Sequence, residues 1–278
     1  MSRTARRACS WFMSANFYIS TDIVHRLVIE AMFDGCPMDK QLYAMTYRPS
    51  DVACIFGVYK SKVSISWHRG AIIRKHEADG SKIIICETGY LKRGNGENNY
   101  YAVGLGGLND NADFRNKDMP SDRFEELDIE IKPWRNSGSH VLICGQVPWD
   151  ASVDHIDFKE WQRKTVAKLK TLTDRQLVFR QHPFIDPMTK PLKEDLNDCW
   201  AVVTFNSNSA VEAAVAGIPV FVSDKGTMAG PIANWHLEDI ENPQMPDREQ
   251  WLNDLAYCQW TPAEMRKGLA WEHLFRSH

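Results

Sequence analysis

The sequence has 278 residues, of which 44% are apolar and 25% are charged, as in a soluble globular protein with two compact domains or one large one. No apolar run approaches the roughly 18 residues that span a bilayer, and the short, interrupted apolar part of the N-terminus does not favour a signal peptide. Seven single cysteines without metal-ligand spacing indicate core residues in a reducing compartment. The sequence therefore predicts a cytoplasmic protein without a membrane span.

The net charge of −3 is distributed unevenly along the chain. Residues 1–95 contain 14 Lys and Arg against 8 Asp and Glu, a balance of +6, whereas residues 96–278 contain 19 against 28, a balance of −9. One interpretation is that the charged residues are simply scattered along the chain and that the N-terminal tail is basic. The other is a basic face in the first half of the chain that binds a polyanion.

The first half of the chain alternates apolar runs with helical patterns. The runs are continuous rather than alternating in polarity, which is typical of parallel strands that are covered on both faces. In chain order we predict a helix at 22–33, strands at 41–47 and 51–59, a helix at 68–78 and a strand at 82–88.

The region 94–139 lacks this periodicity and is rich in Gly, Asn and Asp. It is too long for a simple connection, which indicates a functional segment or a domain boundary. Residues 132–140 have the composition of a linker. We therefore predict an N-terminal domain at 1–136 and a C-terminal domain at 137–278.

The second half repeats the alternation of strands and helices. We predict strands at 140–147, 176–181, 201–206 and 219–224, and helices at 158–172, 192–198, 209–217, 248–257 and 262–275. Such an alternation is typical of βαβ units. The predicted fold class is therefore α/β, with two Rossmann-like domains facing a cleft.

Polar side chains follow three successive strands of the second half, in the segments GQVPWDAS, RQHPF and NSNSAVE. Ligands of open α/β sheets bind beyond the carboxyl ends of the strands, so these segments are expected to converge. Small hydroxyl and amide groups and unpaired helix N–H groups suit a phosphorylated ligand. The candidate ligand-binding residues are Gln146, Asp150, Ser152, Arg180, His182, Asn206, Ser207, Asn208, Ser209 and Glu212.

Two of these assignments have structural alternatives. Ser209 and Glu212 have the spacing of a capping box, in which they satisfy the start of the helix at 209–217. For His182 the alternative is a structural histidine, but its position before Pro183 at a strand end favours a ligand.

Four segments of the chain resemble glycosyltransferases, and they occur along the chain in the same order as in those proteins. NSNSAVEAAVAGIPVFV (206–222) resembles the nucleotide-binding segment of GT-B glycosyltransferases, where the Glu that corresponds to Glu212 holds the ribose hydroxyls. CETGYLKRG…YYAVGLG, VLICGQVPWDASVD and VFRQHPF narrow the resemblance to the capsule-polysaccharide Kdo transferases, whose His-Pro histidine, His182 here, contacts nucleotide phosphate. The resemblance covers about residues 82–224, and relatives over the whole length are expected among bacteriophage proteins.

The chain departs from this family at its acidic pair, which is Glu87-Thr88 here. Thr88 replaces the acid that is associated with covalent catalysis in retaining Kdo transferases, which argues against double displacement and against a CMP-Kdo donor. We predict that Glu87 is the catalytic base, with Asp22 and Asp113 as alternatives. Structural pairing of Glu87 with Arg93 is the competing interpretation.

The resemblance implies a GT-B glycosyltransferase that uses a nucleotide-sugar, expected to be UDP-linked, as co-substrate and needs no cofactor. In such an enzyme the C-terminal domain at 137–278 would bind the nucleotide-sugar and the N-terminal domain at 1–136 would bind the acceptor. No Asp-x-Asp motif follows a predicted strand, so metal independence is also expected. As in other GT-B chains, the helix 262–275 would pack back on the N-terminal domain.

The acceptor hydroxyl has two candidate sources. One is 5-hydroxymethylpyrimidine in phage DNA, modified in the host cytoplasm, and the other is a capsule or cell-surface glycan. A DNA acceptor would be bound by basic residues of the first half, which are Lys60, Lys62, Arg69, Lys92 and Arg93. A protein of another class, which binds a nucleotide or glycan without turnover, is the third interpretation, and the missing second acid supports it.

Overall fold

The computed structural model describes residues 13–58, 66–94 and 96–276, and the chain forms two compact units. The first unit comprises Met1–Lys117 and Ala256–His278, and the second comprises Asp118–Leu255. Residues 118–136, which the sequence analysis assigned to the N-terminal domain, therefore belong to the second unit. The chain returns to the first unit after residue 255, so that unit is built from two separate stretches.

Ten strands and nine α-helices lie within the described residues. The strands are β1 (Ser14–Tyr18), β2 (Asp39–Tyr43), β3 (Val52–Phe56), β4 (Lys82–Thr88), β5 (Tyr101–Leu105), β6 (His140–Cys144), β7 (Gln176–Arg180), β8 (Cys199–Thr204), β9 (Val220–Val222) and β10 (Gln259–Trp260). The helices are α1 (Ile23–Gly35), α2 (Ser66–Ala78), α3 (Asp122–Glu126), α4 (Phe158–Leu169), α5 (Leu192–Asp195), α6 (Ser209–Val215), α7 (Glu249–Ala256), α8 (Pro262–Arg266) and α9 (Leu269–Leu274).

The first unit is organised around a six-stranded sheet in the order β2-β1-β3-β4-β5-β10. The strands β1 to β4 are parallel, and β5 and β10 extend the sheet in antiparallel fashion. Alternate residues of β3 enter two cores: Cys54 packs with α1, α8 and α9, whereas Ala53 and Ile55 pack with α2. This two-sided burial explains why β3 is a continuous apolar run.

The C-terminal residues complete the first unit. Trp271 is fully enclosed, and its Nε1 donates a hydrogen bond to the carbonyl of Met32 on α1 at 2.8 Å. A Cβ atom on Gly35 would lie 1.9 Å from the carbonyl oxygen of Met265, so α1 and α8 approach each other at backbone distance. The single helix predicted at 262–275 is interrupted at Gly268, whose φ of +82° ends α8 before α9 begins.

The second unit contains a four-stranded parallel sheet in the order β7-β6-β8-β9. The central strand β8 is buried at every residue. Val141 and Val203 pack with Leu169 of α4 in the main core of this unit. β7 lies at the edge and is half-exposed, with Phe179 44% exposed.

The remaining predicted elements differ from the structure mainly in extent. The strand expected at 41–47 is Asp39–Tyr43, a mostly exposed edge strand rather than a strand covered on both faces. The region 94–139 contains β5 and α3. No helix in residues 13–58, 66–94 and 96–276 is long and apolar enough to cross a membrane.

Candidate functional site

The strand order of the second sheet reverses at β6. The chain passes from β6 outward to β7 and then returns to place β8 on the opposite side of β6. In open α/β sheets this reversal leaves a crevice beyond the carboxyl ends of the two central strands, where ligands bind. The crevice beyond β6 and β8 is therefore the candidate site of the second unit.

Two buried amide side chains join the loops that follow these strands. Gln146 is 8% exposed and Asn206 is 6% exposed. Gln146 Nε2 donates to Asn206 Oδ1 at 2.8 Å, and the backbone N–H of Asn206 donates to Gln146 Oε1 at 3.1 Å. This reciprocal pairing satisfies both buried groups and fixes the ends of β6 and β8 relative to each other.

Asn206 also links these loops to the end of β9. Its Nδ2 donates to Asp224 Oδ1 at 2.9 Å and to the carbonyl of Ser152 at 3.0 Å. Asp150 Oδ1 accepts from the N–H and the hydroxyl of Ser152 at 2.9 and 2.8 Å. One amide thus connects three loops. Asp224 is absent from the predicted set, although it ends the strand predicted at 219–224 and the same strand-end argument would have included it.

His182 lies on the loop after β7 and is half-buried. Its Nδ1 accepts a hydrogen bond from the N–H of Phe184 at 3.1 Å, and its carbonyl accepts from the N–H groups of Ile185 and Asp186. Because Nδ1 is an acceptor, the neutral ring carries its proton on Nε2, which makes Nε2 a hydrogen-bond donor. A donor at this position suits an anionic ligand.

Arg180, the last residue of β7, is held by protein groups. Its side chain is 9% exposed and pairs with Asp195 of α5 at 2.5 Å, and it donates to the carbonyl of Lys190 at 2.6 Å. These contacts anchor the segment between β7 and α5. A direct contact of Arg180 with a ligand stays a prediction.

The helix α6 begins directly beyond the crevice, but without the predicted capping box. Its N-cap is Asn208, whose side chain caps no amide, and Ser209 is already the first helical residue. The Ser207 hydroxyl accepts from the N–H of Ser209 at 3.2 Å. Asn208 Nδ2 approaches Glu212 Oε1 at 3.4 Å. Ser209 and Glu212 therefore do not satisfy the start of α6 as the capping-box interpretation required.

The first sheet reverses in the same way, between β1 and β3. At that edge Asp22 caps α1, and its hydrogen bond from the His25 amide chiefly lowers the pKa of its carboxyl group. The His25 ring stacks on Phe56 at 4.1 Å, and Arg69 lies 2.9 Å from its Nδ1. Burial, followed by the charge of Arg69, lowers the pKa of His25, while Asp22 opposes this shift.

Glu87 lies at the carboxyl end of β4, on the same edge as Asp22. Its Oε1 accepts from the N–H and the hydroxyl of Thr88 at 2.9 and 3.3 Å. Two strand spacings, about 10 Å, separate β4 from β1. Thr88 thus orients the Glu87 carboxylate.

The third carboxylate, Asp113, lies away from this edge. Asp113 forms an isolated β-bridge with Leu105, and Leu105 pairs with Ile84 in the amino half of β4. Ile84 lies roughly 10 Å along the strand from Glu87. Its carboxylate pairs with Arg115 at 2.9 Å. The structure therefore does not place Asp113 beside the other two candidates.

The predicted acceptor-binding residues differ in their solvent exposure. Arg69 is 3% exposed, so it lies beneath the surface and not on an open basic face. Lys92 and Arg93 are exposed on the loop after β4, where Arg93 Nε approaches the carbonyl of Gly89 at 3.4 Å. Lys60 and Lys62 lie outside the described residues.

Comparison with solved structures identifies the fold. The beta Kdo 2,4 transferase of Thermosulfurimonas dismutans KpsC has a TM-score of 0.58 at 13% sequence identity, over 88% of this chain and 90% of that chain. The beta Kdo 2,7 transferase of the same protein has a TM-score of 0.56 at 13% identity, over 93% and 98%. No family model and no curated protein matches the sequence. At this identity the likeness establishes the fold alone.

The predicted fold class is confirmed: the chain is an α/β protein with parallel, Rossmann-like sheets, and its neighbours are glycosyltransferases of the GT-B type. The expected bacteriophage relatives are not among the structures named here and stay a prediction. Within the described parts of the chain, no three His, Cys, Asp or Glu side chains are grouped so that they could hold a metal ion.

Proposed function

We propose that this protein is a glycosyltransferase that moves a sugar from a nucleotide-sugar donor to a hydroxyl acceptor. The observation that carries the proposal is the buried Gln146–Asn206 pair at the reversal point of the second sheet. It fixes a polar crevice at the position where α/β folds bind nucleotides. The fold shared with two Kdo transferases supports the same class of reaction.

The second unit would bind the donor. In this proposal His182 donates from Nε2 to a donor phosphate, and Ser207 provides a hydroxyl group beyond β8, whereas the hydroxyl of Ser209 is buried beneath this surface. Glu212, in the first turn of α6, would accept the ribose hydroxyls. Asn206 and Gln146 would position these loops instead of contacting the sugar. The nucleotide is proposed to be uridine diphosphate.

The first unit would supply the catalytic base. An acceptor hydroxyl is a weak nucleophile at neutral pH, and a carboxylate that takes its proton typically accelerates transfer about 10²–10⁴-fold. Glu87 is our first candidate because it lies at the carboxyl end of β4 and Thr88 orients its carboxylate through two hydrogen bonds to Oε1. Asp22, whose oxygen caps α1, is the second.

The leaving phosphate would be stabilised without a metal ion. His182 and the Ser207 hydroxyl after β8 are the donors that this role requires. Arg180 could join them only by leaving Asp195, with which it is paired. Metal independence is therefore a proposal that rests on His182 and Ser207.

We favour a glycan over DNA as the acceptor. The structural neighbours are named as Kdo transferases, and their names give no support to a DNA acceptor. The expectation of 5-hydroxymethylpyrimidine rests partly on the excess of basic residues in the first half of the chain. One of the residues in that argument, Arg69, is buried.

The donor site is tested by titration of the full chain with UDP-sugars, CMP-sugars and nucleoside diphosphates. We expect His182→Ala to weaken nucleotide binding by about 1.5–3 kcal/mol, as for loss of a hydrogen bond to a charged group. His236→Ala, at an exposed histidine of the same unit, is the matched control. Equal affinities for the wild type and His182→Ala would refute the assignment.

Turnover separates the enzyme from a binding protein of the same fold. Incubation with each nucleotide-sugar, followed by chromatography of the released nucleotide, should show slow hydrolysis or transfer. Nucleotide-sugar binding with no release, with or without candidate acceptors, would instead favour the non-catalytic interpretation that the missing second acid suggested.

A further inference from the structure

Five large apolar side chains are exposed together at one border of the candidate donor site. Trp149 follows β6, Phe179 is on β7, and Phe184, Ile185 and Met188 follow β7. Their exposed fractions are 56%, 44%, 71%, 36% and 86%. We name this group the aromatic rim. Clustered exposed apolar residues are uncommon on soluble proteins and mark binding surfaces.

The aromatic rim is continuous with the donor site. Trp149 directly precedes Asp150, and Phe184 lies two residues after His182. The Phe179 ring reaches the backbone of the loop after β6, since a Cβ atom on Gly145 would lie 3.1 Å from its Cζ. A ligand that rests on the rim would therefore be adjacent to the proposed phosphate contact.

The rim is held in place by its own hydrogen bonds. The N–H of Phe184 is bound by His182 Nδ1, and the N–H of Met188 donates to Asp186 Oδ1 at 3.0 Å. The ring centroids of Trp149 and Phe184 lie 6.5 Å apart and their planes meet at 72°, an edge-to-face arrangement. The aromatic surface is thus preorganised, which reduces the entropic cost of binding.

The charges around the rim indicate what it binds. Asp150 follows Trp149 in the chain, Asp186 lies between Phe184 and Met188, and Arg180, at the end of β7, is paired with Asp195. Carboxylates repel phosphate groups, whereas they accept hydrogen bonds from hydroxyl groups. Aromatic rings next to hydroxyl acceptors match the two surfaces of a pyranose, its apolar C–H face and its hydroxyl edge.

We propose that the aromatic rim binds pyranose rings of the glycan acceptor, an inference that rests on the proposed glycosyltransferase function. The rim lies on the β7 side of the second unit, while the donor crevice lies between β6 and β8. The acceptor glycan stacks on Trp149 and Phe184 next to the donor phosphates. Its hydroxyl groups donate to Asp150 and Asp186.

The test uses the full chain and its Trp149→Ala and Phe184→Ala variants on an array of bacterial surface oligosaccharides, followed by titration of the strongest ligand. Both variants should bind this ligand about tenfold more weakly or worse, as for aromatic anchors of a binding site. Trp235→Ala is the matched control, because Trp235 is 43% exposed and follows Asn234, which bridges β9 at the other edge of the sheet. It should bind within twofold of the wild type.

Three results would overturn the proposal. The first is that the wild type binds no oligosaccharide, and the second is that the wild type and the rim variants bind equally. The third is that the wild type binds phosphatidylglycerol vesicles or hydroxymethylated duplex DNA and the variants lose this binding. Titration of the same proteins with nucleotide-sugars distinguishes failure of the rim proposal from failure of the proposed function. If donor affinity is unchanged and glycan binding does not depend on the rim, only the rim proposal is wrong. If the wild type has no affinity for nucleotide-sugars, the proposed glycosyltransferase function is wrong.

Discussion

Replacing Asn206 by Asp tests whether one amide holds the candidate site together. The change keeps the shape of the side chain and removes both hydrogens of Nδ2, which bind Asp224 and the carbonyl of Ser152. A hydrogen bond to a charged group contributes about 1.5–3 kcal/mol and a neutral one about 0.5–1.5 kcal/mol. The substitution should therefore cost about 2–4.5 kcal/mol, and repulsion between two adjacent carboxylates adds to this loss.

Hydrogen exchange followed by mass spectrometry measures this loss in the second unit directly. Peptides from residues 199–206 report the opening of β8, whose amides should exchange faster in Asn206→Asp by the corresponding factor. Asn242→Asp, at an exposed position of the same unit, adds the same charge and should change exchange little. A loss below about 1 kcal/mol, within the range of one neutral hydrogen bond, would show that Asn206 does not link the three loops.

Four further predictions concern Glu87, two glycines with positive φ and His76. Glu87→Gln should lower transfer about a hundredfold or more with donor affinity nearly unchanged, and retained product formation would exclude it as the base. Gly217→Ala should lose more than about 2 kcal/mol in urea melts, since its φ is +79° and a Cβ atom would lie 2.1 Å from the carbonyl oxygen of Pro133. Gly80→Ala, with φ +72° and open space, should lose about 1 kcal/mol. Burial lowers the pKa of His76, so below roughly pH 6.5 the unfolded state binds more protons than the folded state. The free energy of unfolding should therefore decrease as the pH falls below this value, and His76→Gln should weaken this pH dependence.

Most of the parallel strands were predictable because burial on both faces leaves a continuous apolar run. The exception is β1, which was not predicted although it is mostly buried and lies between β2 and β3. The run predicted at 82–88 coincides with β4, and the run at 176–181 ends one residue beyond β7. β5 escaped prediction because it is short, contains Gly104 and lies in a Gly- and Asn-rich region. One of its two partners, β10, comes from a distant part of the chain, and a local pattern does not reveal such pairing.

The candidate site was predictable as a set of loops but not as a network. Strand ends located Gln146, His182 and Asn206, because the carboxyl edge of a parallel sheet gathers its loops. The hydrogen bond from Asn206 to Asp224 depends on the order of the strands, which the sequence did not determine. The exposure of Trp149, on the loop after β6, and of Phe179, on the edge strand β7, likewise depends on tertiary structure that a local pattern does not reveal.

The return of the C-terminal residues to the first unit bears on the order in which the protein folds during synthesis. Domains of a nascent chain generally fold from the N-terminus onward. Here α1 and β5 emerge early, yet their partners α8, α9 and β10 are translated only after the whole second unit. The contiguous second unit can therefore acquire its structure first, while the first remains incomplete until the residues that follow Leu255 have been translated. A ribosome stalled before residue 256 would present the N-terminal stretch of the first unit without β10, exposed to chaperones and proteases.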